Sequence, residues 1–260
     1  MSSSLGLGLA LSGGGARGIA HLGVLAALDE LGLPIARLAG VSSGAIAATF
    51  YAAGVPPREI LRLFQEVNIT QITRIALSRY GLFRIDGVGA LFEKHLGTDC
   101  TFEQLHIPLT LVATDLVEGV SVRFSRGLLV PPLLASSAVP ILYKPVEYQG
   151  RQLVDGGLLN NLPVEALLEH QHLGLRIVGV HCNPPNPEAQ FNNLRGVIER
   201  TLNLAIGGNT VISKQQCELL LEPPELRSFR TMSYRRAPEL FEIGYRYTLG
   251  RAPELTALLR

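Results

Sequence analysis

The chain predicts an α/β fold with three layers, α/β/α, built on a mostly parallel central sheet. Short apolar strand segments alternate with helical segments along nearly its whole length, and neither an internal repeat nor a long linker interrupts them. Hydrophobic residues make up 47% of the composition against 17% charged, the balance of a well-packed globular protein. With 260 residues it can bury a sizeable core, and a single domain spanning 1–260 is expected.

Leu5–Leu11 alternates glycine with apolar residues and reads as a buried first strand. It runs into Ser12-Gly13-Gly14-Gly15-Ala16-Arg17-Gly18, and a helix carrying Ile19, Leu22, Leu25 and Leu28 follows, closing at Gly32-Leu33-Pro34. Ala36–Val41 is the second strand, leading through Ser42 into a helix of small residues. Pro56-Pro57 opens another helix with Ile60, Leu61, Phe64 and Val67 on its apolar side. Between Ile69 and Ile85 the pattern blurs; irregular spacing favours an amphipathic segment packed on its own core, with a lid or lipid-facing edge as the alternative. A helix over about Asp86–His95 precedes two strands, Pro108–Leu116 and Val120–Phe124, joined at Glu118-Gly119. Pro131–Val139 predicts a short helix, and Tyr143–Tyr148 and Gln152–Val154 a strand pair around Gln149-Gly150. A helix starting near Pro163, a buried strand at Leu175–Val180, and a long helix over about Leu194–Gln216 come next, the last bent near Gly207-Gly208. Leu219–Leu221 is the final strand, and residues 222–260 form a helical extension split at Gly250–Pro253.

The chemistry centres on Gly40-Val41-Ser42-Ser43-Gly44. Strand before and helix after make this Gly-x-Ser-x-Gly a nucleophile elbow, which lifts one serine hydroxyl clear of the sheet. Gly13-Gly14-Gly15-Ala16-Arg17-Gly18 also satisfies Gly-x-Gly-x-x-Gly, but a dinucleotide site needs an acid at the end of the second strand to hold the ribose. That strand ends Gly40-Val41-Ser42, so the glycines serve better as consecutive amide donors beside Ser42, the layout of an oxyanion hole. For the base, Asp155 ends an apolar strand and is followed by Gly156 and Gly157; partial desolvation there raises its pKa and strengthens it as a base. His170, His172 and His181 lack the strand-end loop that presents a catalytic imidazole, and only one strand precedes the elbow, unlike a histidine-dependent α/β-hydrolase. His21 and His106 read as structural.

Together, Gly13–Gly18, Gly40–Gly44, Ala135-Ser136-Ser137-Ala138-Val139-Pro140 and Asp155-Gly156-Gly157 resemble, in order and spacing, the patatin-like phospholipase family over roughly residues 5–205. The resemblance implies lipid acyl hydrolysis by a Ser–Asp dyad, with no catalytic histidine, metal or cofactor. Carried over by position, Ser42 is the nucleophile and Asp155 the general base. The amides of Gly13, Gly14 and Gly15 form the oxyanion hole, Arg17 matches the loop's basic residue, and Ala135–Pro140 is the structural block beside the site. Gly18, Gly40, Gly44, Gly156 and Gly157 support these motifs. A regulatory or interaction protein with a vestigial site on the same fold is the alternative.

A net charge of +1 gives no footprint for nucleic acid; a lipid or fatty-acyl ester is the expected partner, with peripheral membrane contact. Arg227, Arg230, Arg235 and Arg236 read as a solvated face. Cys100, Cys182 and Cys217 are scattered, forming neither a disulfide framework nor a zinc motif, so a reducing cytoplasm is expected. The N-terminus reads as a poor signal peptide, and no run approaches the roughly 18 apolar residues of a membrane span.

Overall fold

A computed structural model describes residues 6–66, 86–187, 194–231 and 233–260; the stretch 69–85 lies outside them. The strands are β1 (Gly6–Leu11), β2 (Ile35–Gly40), β3 (Leu109–Asp115), β4 (Val120–Phe124), β5 (Val146–Tyr148), β6 (Arg151–Asp155), β7 (Leu175–Val180) and β8 (Leu219–Leu221). They form one mixed sheet in the order β5-β6-β3-β2-β1-β7-β8, with β4 also pairing β3. The five-strand run β3-β2-β1-β7-β8 is parallel. Antiparallel pairings are confined to β4, β5 and β6 at the β3 end, where short turns such as Gln149-Gly150 can join neighbours.

Helices α1 (Ala20–Glu30), α2 (Ser43–Ala52), α3 (Pro57–Glu66), α4 (Asp86–Leu96) and α5 (Val130–Ser137) precede α6 (Glu165–Leu168), α7 (Leu194–Gly208), α8 (Val211–Gln215), α9 (Ala237–Gly250) and α10 (Ala252–Ala257). The alternation in β1 decides which side of the sheet is thick. Leu7, Leu9 and Leu11 point into the large cluster shared with α1, α2 and α9, each fully buried leucine contributing roughly 2 kcal/mol. On the opposite face Ala10 meets a smaller cluster of Leu162, Val164, Leu167 and Ile177, where short side chains let α6 lie close. The penultimate helix α9 packs along α1, with Leu240 and Phe241 in the large cluster.

Three elements depart from the sequence reading. The strand expected at Tyr143–Tyr148 shrinks to Val146–Tyr148 because Leu142 and Tyr143 donate their N–H groups to Val139 O and turn the chain. The helix expected from Pro163 covers only Glu165–Leu168. The break in the long helix falls at Asn209-Thr210 rather than at the glycines, which stay helical; Thr210 caps the turn by donating to Gly207 O at 2.8 Å.

Candidate active site

Parallel pairing puts Leu11 opposite Gly40, so the chain leaves β1 and β2 side by side and the glycine loop comes to rest against the elbow. Ser42 has φ 55° and ψ −125°, a left-handed conformation that costs a non-glycine residue about 1–3 kcal/mol. It is held by its surroundings: Val41 N–H donates to Leu11 O at 3.2 Å, and Ser42 N–H donates to the Ser136 side-chain Oγ at 3.0 Å. A Cβ at Gly18, Gly40, Gly44, Gly156 or Gly157 would run into Ser43 Oγ, Ala45 Cα, Leu11 O, Val112 O or Asn161 Oδ1 respectively. These glycines are what let strands, helix and loops converge.

Asp155 closes β6 opposite Ala113 and is buried. Its Oδ1 accepts the Gly157 N–H at 2.8 Å. Burial pushes its pKa up to about 6, while the facing Ser42 hydroxyl and the Gly157 amide pull it back. Desolvation outweighs both donors, leaving a carboxylate basic enough to take a proton yet ionised at neutral pH.

In the glycine loop, Gly13 N–H makes a long bond of 3.3 Å to Asn161 O, and Ala16 N–H donates to Thr231 O at 2.7 Å. Among the described residues the Gly14 and Gly15 N–H groups have no acceptor. The loop carbonyls are tied back: Gly13 O accepts from Ser12 Oγ at 3.0 Å and from Asn183 Nδ2 at 2.5 Å. His21, buried and held neutral with its pKa lowered to about 4 by desolvation, donates to Ser12 O at 2.8 Å. These bonds fix the loop carbonyls, and Gly13, Gly14 and Gly15 all line the cavity. Arg17 reaches Gly14 O only at 3.5 Å and stands in the cavity wall.

That cavity, of about 390 Å³, is lined by Gly13–Gly15, Ser42, Asp155 and Asn161, and by apolar Ile141, Leu158, Ile198 and Ile206. Among the described residues that line it there is no histidine. His170 and His172 sit around a short helical turn at the surface. His181, though buried, gives its Nδ1 to Glu222 at 2.5 Å. Sequence reading missed Asn161, Asn183 and Asn209 and did not single out Ser136 within its block; the runs Asn160-Asn161 and Gly208-Asn209 carry no spacing that marks them.

The patatin-like phospholipase family matches residues 9–168. An uncharacterized NTE family protein of Mycobacterium tuberculosis is 40% identical over 174 residues, 63% of this chain and 46% of that protein. Lysophospholipase NTE1 of Kluyveromyces lactis is 23% identical over 94% of this chain and 19% of that protein. The chain thus spans less than half the length of these relatives. Among solved structures, VipD from Legionella pneumophila superposes with a TM-score of 0.62 at 16% identity, over 96% of this chain and 67% of that one. A human GIVD cytosolic phospholipase A2 reaches 0.50 at 14% identity, over 99% of this chain and 60% of that one. The elbow, the glycine loop and the Asp-Gly-Gly turn all lie within the matched 9–168, and on that match the chain belongs to the patatin-like phospholipase family.

Proposed function

We propose that the chain is a serine lipid acyl hydrolase acting through a Ser42–Asp155 dyad. The observation that carries this is the strained Ser42 with its hydroxyl on a buried, desolvated Asp155, both in the wall of a largely apolar cavity. Asp155 accepts the hydroxyl proton as Ser42 Oγ attacks the ester carbonyl. The amides of Gly13, Gly14 and Gly15 take the developing oxyanion, with Gly14 and Gly15 free to donate at once and Gly13 exchanging its long bond to Asn161 O. The protonated Asp155 then passes its proton to the leaving alcohol. A water molecule, deprotonated by Asp155, attacks the acyl-enzyme; as the bond to Ser42 Oγ breaks, Asp155 returns the proton to that oxygen and the fatty acid leaves.

The apolar lining suits an acyl chain, and it continues onto the surface. Leu194 lines the cavity and is itself 75% exposed; Val197 and Leu204 follow it at helical spacing on α7 and are exposed, as are Val211 and Ile212 at the start of α8, and together they are taken as an apolar stripe. This stripe is the proposed contact with a lipid layer, whose tails would enter the cavity without crossing water. No helix among the described residues is long and apolar enough to cross a membrane. The contact proposed is peripheral, from a reducing aqueous compartment such as the cytoplasm. Leu204→Glu with Ile212→Glu is expected to lower co-sedimentation with phosphatidylcholine vesicles about tenfold, and to lower hydrolysis of a soluble short-chain ester far less. Equal losses in both assays would remove the lipid-layer role.

The dyad is tested by labelling with a fluorophosphonate probe alongside hydrolysis of a chromogenic ester. Wild type is expected to label once, Ser42→Ala not at all, and both Ser42→Ala and Asp155→Asn to lose at least about 10³-fold in hydrolysis. A folded wild type that neither labels nor hydrolyses would favour the interaction-protein reading instead.

A further inference from the structure

The glycine loop and the aspartate turn are joined through the segment 157–161, and one side chain outside the family-matched region holds that segment. Asn209, in the turn between α7 and α8, donates through Nδ2 to Gly157 O and to Leu158 O, each at 3.1 Å. Its Oδ1 accepts the Asn161 N–H at 3.0 Å. One end of the segment supplies the Gly157 N–H that bonds Asp155 Oδ1 at 2.8 Å. The other end supplies the Asn161 O that accepts from Gly13 N–H at 3.3 Å. Two carbonyls and one N–H demand two donors and one acceptor from a single planar group, which a side-chain amide provides.

We infer that Asn209 is a positioning residue that sets the Asp155 carboxylate and the Gly13 amide in register with Ser42. It touches none of the reacting atoms and acts through the backbone of Gly157, Leu158 and Asn161. This rests on the dyad reading above. The hub lies on the α7–α8 turn, so the helices that bear the exposed apolar residues are linked to the base through the backbone of Gly157. A displacement of the segment by even about 1 Å misaligns the proton acceptor, an error that costs about 10²-fold in rate in pre-organised sites.

The test compares wild type with Asn209→Ala and Asn209→Ser, the latter keeping one short donor. Two quantities are read: the titration midpoint of the Asp155 carboxyl by carbon-detected NMR, assigned by its disappearance in Asp155→Asn, and the rate of fluorophosphonate labelling at Ser42. Asn209→Ala frees the turn, so Asp155 loses the Gly157 donor and its midpoint rises. Labelling slows about 10- to 100-fold, kcat for a soluble ester falls in step, and KM stays within about twofold. Asn209→Ser falls between, and it carries the comparison alone if the alanine variant does not fold. An unchanged Asp155 midpoint in a folded variant overturns the inference whatever the labelling does. A wild type that fails to label while the midpoint still moves retains Asn209 as the hub and discards the dyad reading instead.

Discussion

Asp155→Asn is expected to abolish hydrolysis and at the same time to make the protein more stable at neutral pH. Burial raises the Asp155 pKa from 3.8 to about 6, so the folded protein holds this proton more tightly than the unfolded chain. The group's contribution is therefore most favourable below about pH 4 and is lost as pH rises towards 6 and beyond, where the carboxylate is ionised in an apolar wall. The gap corresponds to a penalty of up to about 3 kcal/mol at pH 7 to 8. Asparagine keeps an oxygen for the Gly157 N–H and carries no charge, so it removes that penalty. In a chain of this size 1 kcal/mol is worth about 2–4 °C, and Tm of Asp155→Asn should exceed wild type by up to about 10 °C at pH 8 and match it near pH 4. The same ionisation governs activity: kcat/KM of the wild type should rise through an acidic limb centred near pH 6, because only the carboxylate can accept the Ser42 proton. A variant less stable than wild type at pH 8 would show that Asp155 is held by favourable contacts and not stored there at a cost.

The parts of this site that were legible in the sequence are those written locally. Strand–Gly-x-Ser-x-Gly–helix, three successive glycines after a strand, and Asp-Gly-Gly after Leu153-Val154 each encode their own turn, and β1 and β2, consecutive in the chain, are neighbours in the sheet. The alternation of glycine and leucine in β1 likewise carried its burial, since period two is a property of the strand alone. What stayed hidden depends on contacts made across long separations. Ser136 reaches Ser42 from 94 positions away, and Asn209 reaches Asn161 from 48. Single asparagines and serines satisfy backbone groups wherever topology leaves one unpaired, and nothing in their immediate neighbours announces it. The end of α7 shows the same limit: Gly207 and Gly208 look like a break, yet both remain helical and the chain turns one residue later.

Gly44→Ala is expected to disrupt the elbow outright, whereas Gly32→Ala is expected to be mild, although Gly32 is the position with the unusual backbone. Gly32 has φ +63° and open space around its missing Cβ, so alanine there pays only the left-handed conformational cost of about 1 kcal/mol. Gly44 needs no special dihedral. A Cβ there would collide with Leu11 O and lie 2.6 Å from both Leu11 C and Ser12 O, all backbone atoms at the end of the central strand. Rotamer changes cannot relieve such contacts. Helix α2 would have to move away from β1, breaking the Val41 N–H to Leu11 O bond and carrying Ser42 away from the glycine loop. Overpacking of this kind costs about 3 kcal/mol or more, so Tm should fall by roughly 10 °C, against about 3 °C for Gly32→Ala. Among molecules that remain folded, labelling of Ser42 should fall by about 10²-fold or more, because the methyl group meets the Leu11–Ser12 backbone against which the elbow is seated. Equal melting temperatures for the two variants would mean that the elbow can yield at Gly44, and the close seating of α2 on β1 would then not be what holds Ser42 in its strained conformation.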